Sequence, residues 1–122
     1  MTETFSSIST ISLPEITFIG GTYKELPFDV VDASNNPVDI SSFTYTWILS
    51  PFGQPEISSL VKDGVFDTTV VNKNRFIVYL YSNETINLAG KYVQQPIIIG
   101  NPGYEFRRGQ GYVNIIAGLS SW

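Results

Sequence analysis

Apolar and polar residues alternate with period two along most of this chain, and no segment fits a helix longer than a single turn. The pattern is densest from Phe18 to Ser50, FIGGTYKELPFDVVDASNNPVDISSFTYTWILS. Leu26, Phe28 and Val30 recur at alternate positions, and Asp32-Ala33-Ser34-Asn35-Asn36-Pro37 interrupts them with turn residues. Phe43, Tyr45, Trp47 and Leu49 then resume the alternation against Thr44 and Thr46. The stretch reads as two strands joined by a long polar turn, with a large aromatic centred in the second.

Before it, Glu15 to Ile19 predicts a short strand with Ile16 and Phe18 on one face, turned by Gly20-Gly21-Thr22 into the strand Tyr23 to Val31. Pro27 cannot donate to a ladder, so it marks an edge or a bulge in that strand. After the Trp47 strand, the turn Pro51-Phe52-Gly53-Gln54-Pro55 leads to a weak strand at Ile57 to Lys62. Asp63-Gly64 then reads as a hairpin signal ahead of Val65 to Val71. Asn72-Lys73-Asn74 turns into Arg75 to Tyr81, where Phe76, Val78 and Leu80 share one face and Ile77, Tyr79 and Tyr81 the other. Ser82 to Ala89 holds one helical turn capped by Ser82 or Asn83, and Lys91 to Ile99 is the next strand. Tyr104 to Ala117 is the last, and Gly109 and Gly111 predict a bulge within it.

Short strands, closely spaced turns and at most one short helical turn predict an all-β fold, an immunoglobulin-like antiparallel β-sandwich of about seven to eight strands. Residues 15–122 form a single domain with no linker or repeat. Residues 1–14 form an N-terminal extension, either a frayed terminus or an arm that pairs with a neighbouring subunit's sheet edge. Within Leu88-Ala89-Gly90-Lys91-Tyr92, the glycine two residues before a tyrosine has the form of a tyrosine corner, in which the phenol bonds to upstream backbone. Gly90 and Tyr92 are therefore structural residues, with Trp47 the core aromatic and no disulfide beside it. Tyr79, Tyr81, Tyr104, Phe106, Tyr112 and Trp122 are the candidate contact residues; the alternative is that some of them face the second sheet.

Composition narrows the function. The 122 residues suffice for one core, and the 15% charged fraction lies below the usual level of about a quarter, leaving a surface rich in hydroxyls and amides. A net charge of −4 disfavours nucleic acid and anionic membrane, and Arg107-Arg108 is the one adjacent basic pair. There is no cysteine and no histidine, which removes thiol chemistry, the usual general base and the commonest transition-metal ligand. The eleven acidic residues are scattered and mostly in turns, with no paired spacing for acid–base work. Asp29, Asp32, Asn35 and Asn36 do not follow a calcium-loop pattern, and Gly20-Gly21 precedes a strand where a phosphate cradle needs a helix. No serine sits in a nucleophile elbow. The reading is a non-enzyme with no cofactor and no metal. Asn83-Glu84-Thr85 matches a glycosylation triplet, but Asn83 reads better as a cap. No apolar run reaches membrane-spanning length, and MTETFSSISTISLP has neither the basic nor the apolar part of a signal peptide.

The order of motifs adds a resemblance. GGTYKELPFDVVD, then NNPVDI, then FTYTWILSPFG is similar to the N-terminal domain of the upper baseplate proteins of tailed bacteriophages and related small virion proteins. Those domains show a G-D-T-x-x-x-x-F-x-V-x-D strand, a G-x-P-V-D-L-T turn and a late G-x-Y strand; Gly20 to Asp32, Asn36 to Ser41 and Gly90 to Tyr92 fill these places. Gly21 stands where an acidic residue is usual, and Asn36 replaces the turn glycine. The resemblance spans most of the chain from Glu15, and no receptor-binding domain follows Trp122. It implies a structural component of a phage virion, in the tail, baseplate or head, assembled in the host cytoplasm. Its partners would be other virion proteins and further copies of itself. The alternative is a carbohydrate-binding or host-adhesion module, in which Tyr112 and Trp122 stack on sugar faces.

Overall fold

The computed structural model describes residues 10–11, 15–31, 34–100, 104–107 and 111–118; Thr10–Ile11 and Tyr104–Arg107 are described by their backbone pairing alone. Among these residues the chain forms ten strands and one helical turn: β1 (Thr10–Ile11), β2 (Ile16–Ile19), β3 (Lys24–Val31), β4 (Thr44–Pro51), β5 (Leu60–Asp63), β6 (Val65–Phe66), β7 (Arg75–Leu80), α1 (Ser82–Thr85), β8 (Gly90–Gly100), β9 (Tyr104–Arg107) and β10 (Gly111–Ile116). The count exceeds the expected seven to eight because Thr10–Ile11, within the predicted extension, pairs as a strand and the last predicted strand is described as two, β9 and β10.

The strands make two sheets, one in the order β1-β3-β7-β6 and the other β2-β10-β8-β4-β5, with β9 also paired to β8. This is the immunoglobulin-like arrangement, with the Trp47 strand and the tyrosine-corner strand adjacent in one sheet and the Greek-key connections passing between the sheets. One pair departs from an all-antiparallel sandwich. β2 runs parallel to β10, from Ile16 opposite Val113 to Ile19 opposite Ile116. β1 and β2 belong to different sheets: Thr10–Ile11 pairs with β3, while β2 pairs with β10.

The period-two pattern sorts side chains as expected. Leu26, Phe28 and Val30 of β3, Tyr45, Trp47 and Leu49 of β4, and Phe76, Val78 and Leu80 of β7 all point into one core. Pro27 sits opposite Ile77, on the part of β3 beyond the reach of β1, whose pairing covers only Val30 and Val31. Among the described residues no ladder partner there needs its missing N–H.

The two strands joined by the Asp32–Pro37 turn do not pair with each other: β3 pairs with β7, and β4 with β5 and β8. The chain leaves β3 through a bridge of Val31 to Pro37, with Val38 N–H donating to Val30 O at 3.1 Å. Asp63-Gly64 does not close a hairpin either. β5 pairs with β4 in one sheet and β6 with β7 in the other, so Gly64 is a crossing point between sheets, its N–H donating to Tyr45 O at 2.9 Å. Nor does the second strand of that unit reach Val71; it ends at Phe66.

The last predicted strand is described in two parts: β10 pairs with β8 up to Gly111 opposite Gln94, and β9 pairs with it from Arg107 opposite Ile97. The expected bulge at Gly109 falls outside the described residues.

The helical turn closes one end of the sandwich. Its first helical residue is Ser82, so neither Ser82 nor Asn83 caps it; Tyr81 does, with its N–H donating to the Glu84 carboxylate at 2.9 Å. The buried Thr85 accepts from Gly21 N–H at 2.9 Å, tying α1 to the β2–β3 turn. Gly21 has φ of +87°, so its conformation requires glycine; a Cβ there would meet only the terminal methyl of Ile86, at 2.4 Å, which a change of rotamer can move aside.

Glu84 also gives the fold an acid-sensitive contact. Burial alone would raise its carboxyl, but the Lys62 ammonium at 2.7 Å, the Tyr81 N–H and the Lys62 charge outweigh it and hold the pKa below the ordinary 4.5. A carboxyl depressed on folding stabilises above its unfolded pKa, and that stability is lost as pH falls through the folded value. Thermal unfolding is therefore expected to hold steady down to about pH 4.5 and then fall. Glu84→Gln should be less stable at neutral pH and show a shallower acid limb; an unchanged limb would remove Glu84 from the account.

Candidate functional site

The expected contact residues do not form one surface. Tyr79 lies on the outer face of the β1-β3-β7-β6 sheet, and Tyr81, 49% exposed, follows at the end of β7. Tyr112 lies on the outer face of the other sheet, on the opposite side of the molecule. Tyr104 and Phe106 stand in β9 opposite Gly100 and Ile98, and Trp122 lies outside the described residues.

The structural residues are placed more simply. Trp47 is wholly buried, and its indole N–H donates to Gln94 Oε1 at 2.7 Å. Tyr92 is buried, and its hydroxyl reaches back to Ala89 O at a long 3.5 Å. Gly90 has φ of +136°, a conformation that side-chain-bearing residues rarely adopt. Gln94 was not singled out by its sequence. It follows Tyr92 by two, the place of the inter-sheet cysteine in disulfide-bearing sandwiches of this kind. Here an amide bonded to the core tryptophan occupies that place, and its Nε2 is buried without a hydrogen-bond partner.

The two outer faces differ in chemistry. On the smaller sheet the polar groups are paired among themselves: Arg75 makes a two-pronged contact with Asp29 at 2.6 and 3.1 Å, and Tyr23 OH donates to Glu25 at 2.9 Å. At its end, the Tyr23 and Tyr81 rings lie 5.7 Å apart and Lys62 Nζ sits 4.9 Å from the Tyr81 ring. The larger sheet presents a broad face with an uncharged middle. Thr44, Thr46, Ile48 and Ser50 of β4, Val93, Gln95 and Ile97 of β8, and Val61 of β5 alternate with the core residues and so turn outward. Ile19, Val61, Ile99, Tyr112 and Ile116 are each at least 41% exposed on this face.

At one end of the face, Lys91 Nζ stands 4.6 Å from the Phe52 ring and 4.9 Å from the Tyr112 ring, which are 5.7 Å apart. The two rings border a shallow hollow of about 240 Å³, with Ser50, Pro55, Val93 and Gln95 in its lining. The signal that finds this face in sequence is parity. Once Trp47 is fixed as inward, Ile48 and its ladder partner Val61 must be outward.

Among the described residues no three potential metal ligands cluster, and no helix is long and apolar enough to cross a membrane. Burial pushes the Tyr45 phenol up to about 12, and its hydroxyl donates to Ile40 O inside the core, a structural use.

No protein family matches the chain, and no curated protein matches it. Among solved structures it is similar to the Ig1 domain of mouse SynCAM 2, at 10% identity and a TM-score of 0.43, covering 89% of this chain and 97% of that one.

Proposed function

We propose that this chain is a non-enzymatic structural component of a bacteriophage virion that acts by protein–protein assembly. The observation that carries the assembly reading is the outer face of the larger sheet, where Ile48, Val61, Val93 and Ile99 lie together with no charged side chain among these described residues, and the charged positions Glu105 and Arg107 of β9 flank them. Interfaces are depleted of charge at their centre and polar at their rim, and this face follows that plan. The virion reading is supported by the order of sequence motifs from Gly20 to Tyr92. Its partners are other virion proteins, present with it in multiple copies. Mass spectrometry of purified particles is expected to find the chain at a copy number matching a symmetric tail, baseplate or head ring. Particles that lack it would overturn the proposal.

A glycan-binding reading is favoured by one separate feature, the hollow beside Phe52 and Tyr112. Two aromatic rings with Gln95 and Ser50 nearby are the parts of a sugar subsite. Binding on a glycan array that is lost in Tyr112→Ala would select this reading.

A further inference from the structure

The assembly proposed above leaves open what covers the outer face of the larger sheet. We infer that the first occupant is a second copy of this chain, packed face to face so that Lys91 of each copy meets Asp63 of the other. The inference rests on the assembly reading of that face and adds its partner.

Three observations support it. The first is size. The strands β10, β8, β4 and β5 with flanking β2, at about 4.8 Å spacing and some seven residues of about 3.3 Å, span a patch of roughly 24 by 23 Å. Its projected area, about 550 Å², is of the order of the ~800 Å² per partner of a stable interface. The second is charge. A molecule with net charge −4 repels its own copies, and the middle of this face is where two copies can approach without opposing like charges. The charges stand at its margins: Lys91 at one end, Asp63 on the edge strand β5, and Glu15 beside β2, held by Asn114 Nδ2 at 2.6 Å. β9 adds one acidic and one basic position, Glu105 and Arg107, opposite Ile99 and Ile97.

The third is placement. Lys91 O accepts from Phe52 N–H, which sets Lys91 level with Phe52 on β4, while Asp63 is level with Thr46. The two therefore lie six residues apart along the strands and two strands apart across them, about 22 Å on the diagonal. A two-fold axis in the plane of the interface, perpendicular to that diagonal, exchanges its ends. It sets each lysine over the other copy's aspartate, the self-complementarity that an isologous contact requires. Within one copy neither is committed to an ion pair: among the described residues the pairs are Lys62–Glu84 and Asp29–Arg75. Phe52 and Tyr112 flank the Lys91 ammonium and hold it up from the sheet.

Sedimentation equilibrium of the full chain tests this, with circular dichroism confirming that each surface variant folds. Wild type is expected to show a monomer–dimer equilibrium. Lys91→Asp and Asp63→Lys should each weaken it by about tenfold or more, and the double variant should restore it to near wild type. A wild type that stays monomeric at its highest soluble concentration overturns the inference. So do single variants that associate as wild type does, or a double variant that fails to recover. Particles that contain the chain as isolated monomers would sink this inference and leave the virion reading standing, whereas a dimer absent from particles would do the reverse.

Discussion

Trp47→Ala lowers the unfolding free energy by about 3–5 kcal/mol, the range for deleting a large aromatic from a packed core. Domains of this size hold about 5–15 kcal/mol in all, so the variant is expected to be partly unfolded near physiological temperature. Two terms add. The indole is wholly buried in the one cluster that joins both sheets, and its removal leaves a cavity that β4, paired on both sides, cannot collapse to fill. The second term is polar. Gln94 Nε2 is already unpartnered, and losing the indole N–H leaves Oε1 without its partner as well. An orphaned buried acceptor costs about 1–3 kcal/mol. The two terms separate in a cycle measured by urea denaturation. Gln94→Leu should be destabilising alone, because it strands the indole N–H. Combined with Trp47→Phe it should cost less than the sum of the singles, because both ends of the hydrogen bond are then gone. Strict additivity would mean that the Trp47–Gln94 bond contributes nothing.

That pair also marks where sequence reading succeeds and where it stops. Trp47, Phe76 and Leu26 were legible because alternation fixes which face of a strand is buried, whatever the strand pairs with. Gly90 and Tyr92 were legible because a corner needs particular residues at fixed local spacing. Gln94 was not, because a glutamine in an alternating strand carries no sign of burial; only its offset from Tyr92, read against the disulfide-bearing sandwiches, points inward. That the candidate contact residues do not share one surface has a related reason. Parity places Tyr79 and Tyr112 on outer faces, but which sheet each strand joins is decided by long-range pairing. Two outward tyrosines on opposite sides of a sandwich look alike in sequence. Apart from Tyr112, the outer face of the larger sheet was not singled out because most of its apolar members are β-branched, and Ile48, Val61 and Ile99 read singly as ordinary strand residues.

The same limit explains Asp63-Gly64, and it leads to a second large effect. An Asp-Gly pair between two apolar runs signals a hairpin because glycine accepts the positive φ that a tight turn demands. In this fold Gly64 is not among the residues with positive φ; what it supplies is room. The Phe76 and Tyr45 rings stack across the two sheets with centroids 5.1 Å apart and planes 9° from parallel. A Cβ on Gly64 would sit 2.6 Å from Phe76 Cδ2 and 2.9 Å from Tyr45 Cβ. Neither atom yields easily, since one belongs to a ring clamped between Phe28 and Tyr45 and the other is anchored directly to β4. Gly64→Ala is therefore expected to cost about 1–3 kcal/mol by overpacking, and Gly64→Val more. Gly53 is the informative control. It has φ of +79° and nothing within 4 Å of its missing Cβ, so Gly53→Ala suffers conformational strain without a clash. Pairing each alanine variant with an asparagine variant distinguishes the causes in thermal unfolding. Asparagine tolerates the left-handed region, so Gly53→Asn should recover much of what alanine loses there. Gly64→Asn should be worse than Gly64→Ala, because a larger side chain is driven into the same aromatic stack. Equal recovery at both sites would mean that Gly64 is needed for its backbone after all, and that the crossing between sheets is held by a turn rather than by the space glycine leaves for Phe76 and Tyr45.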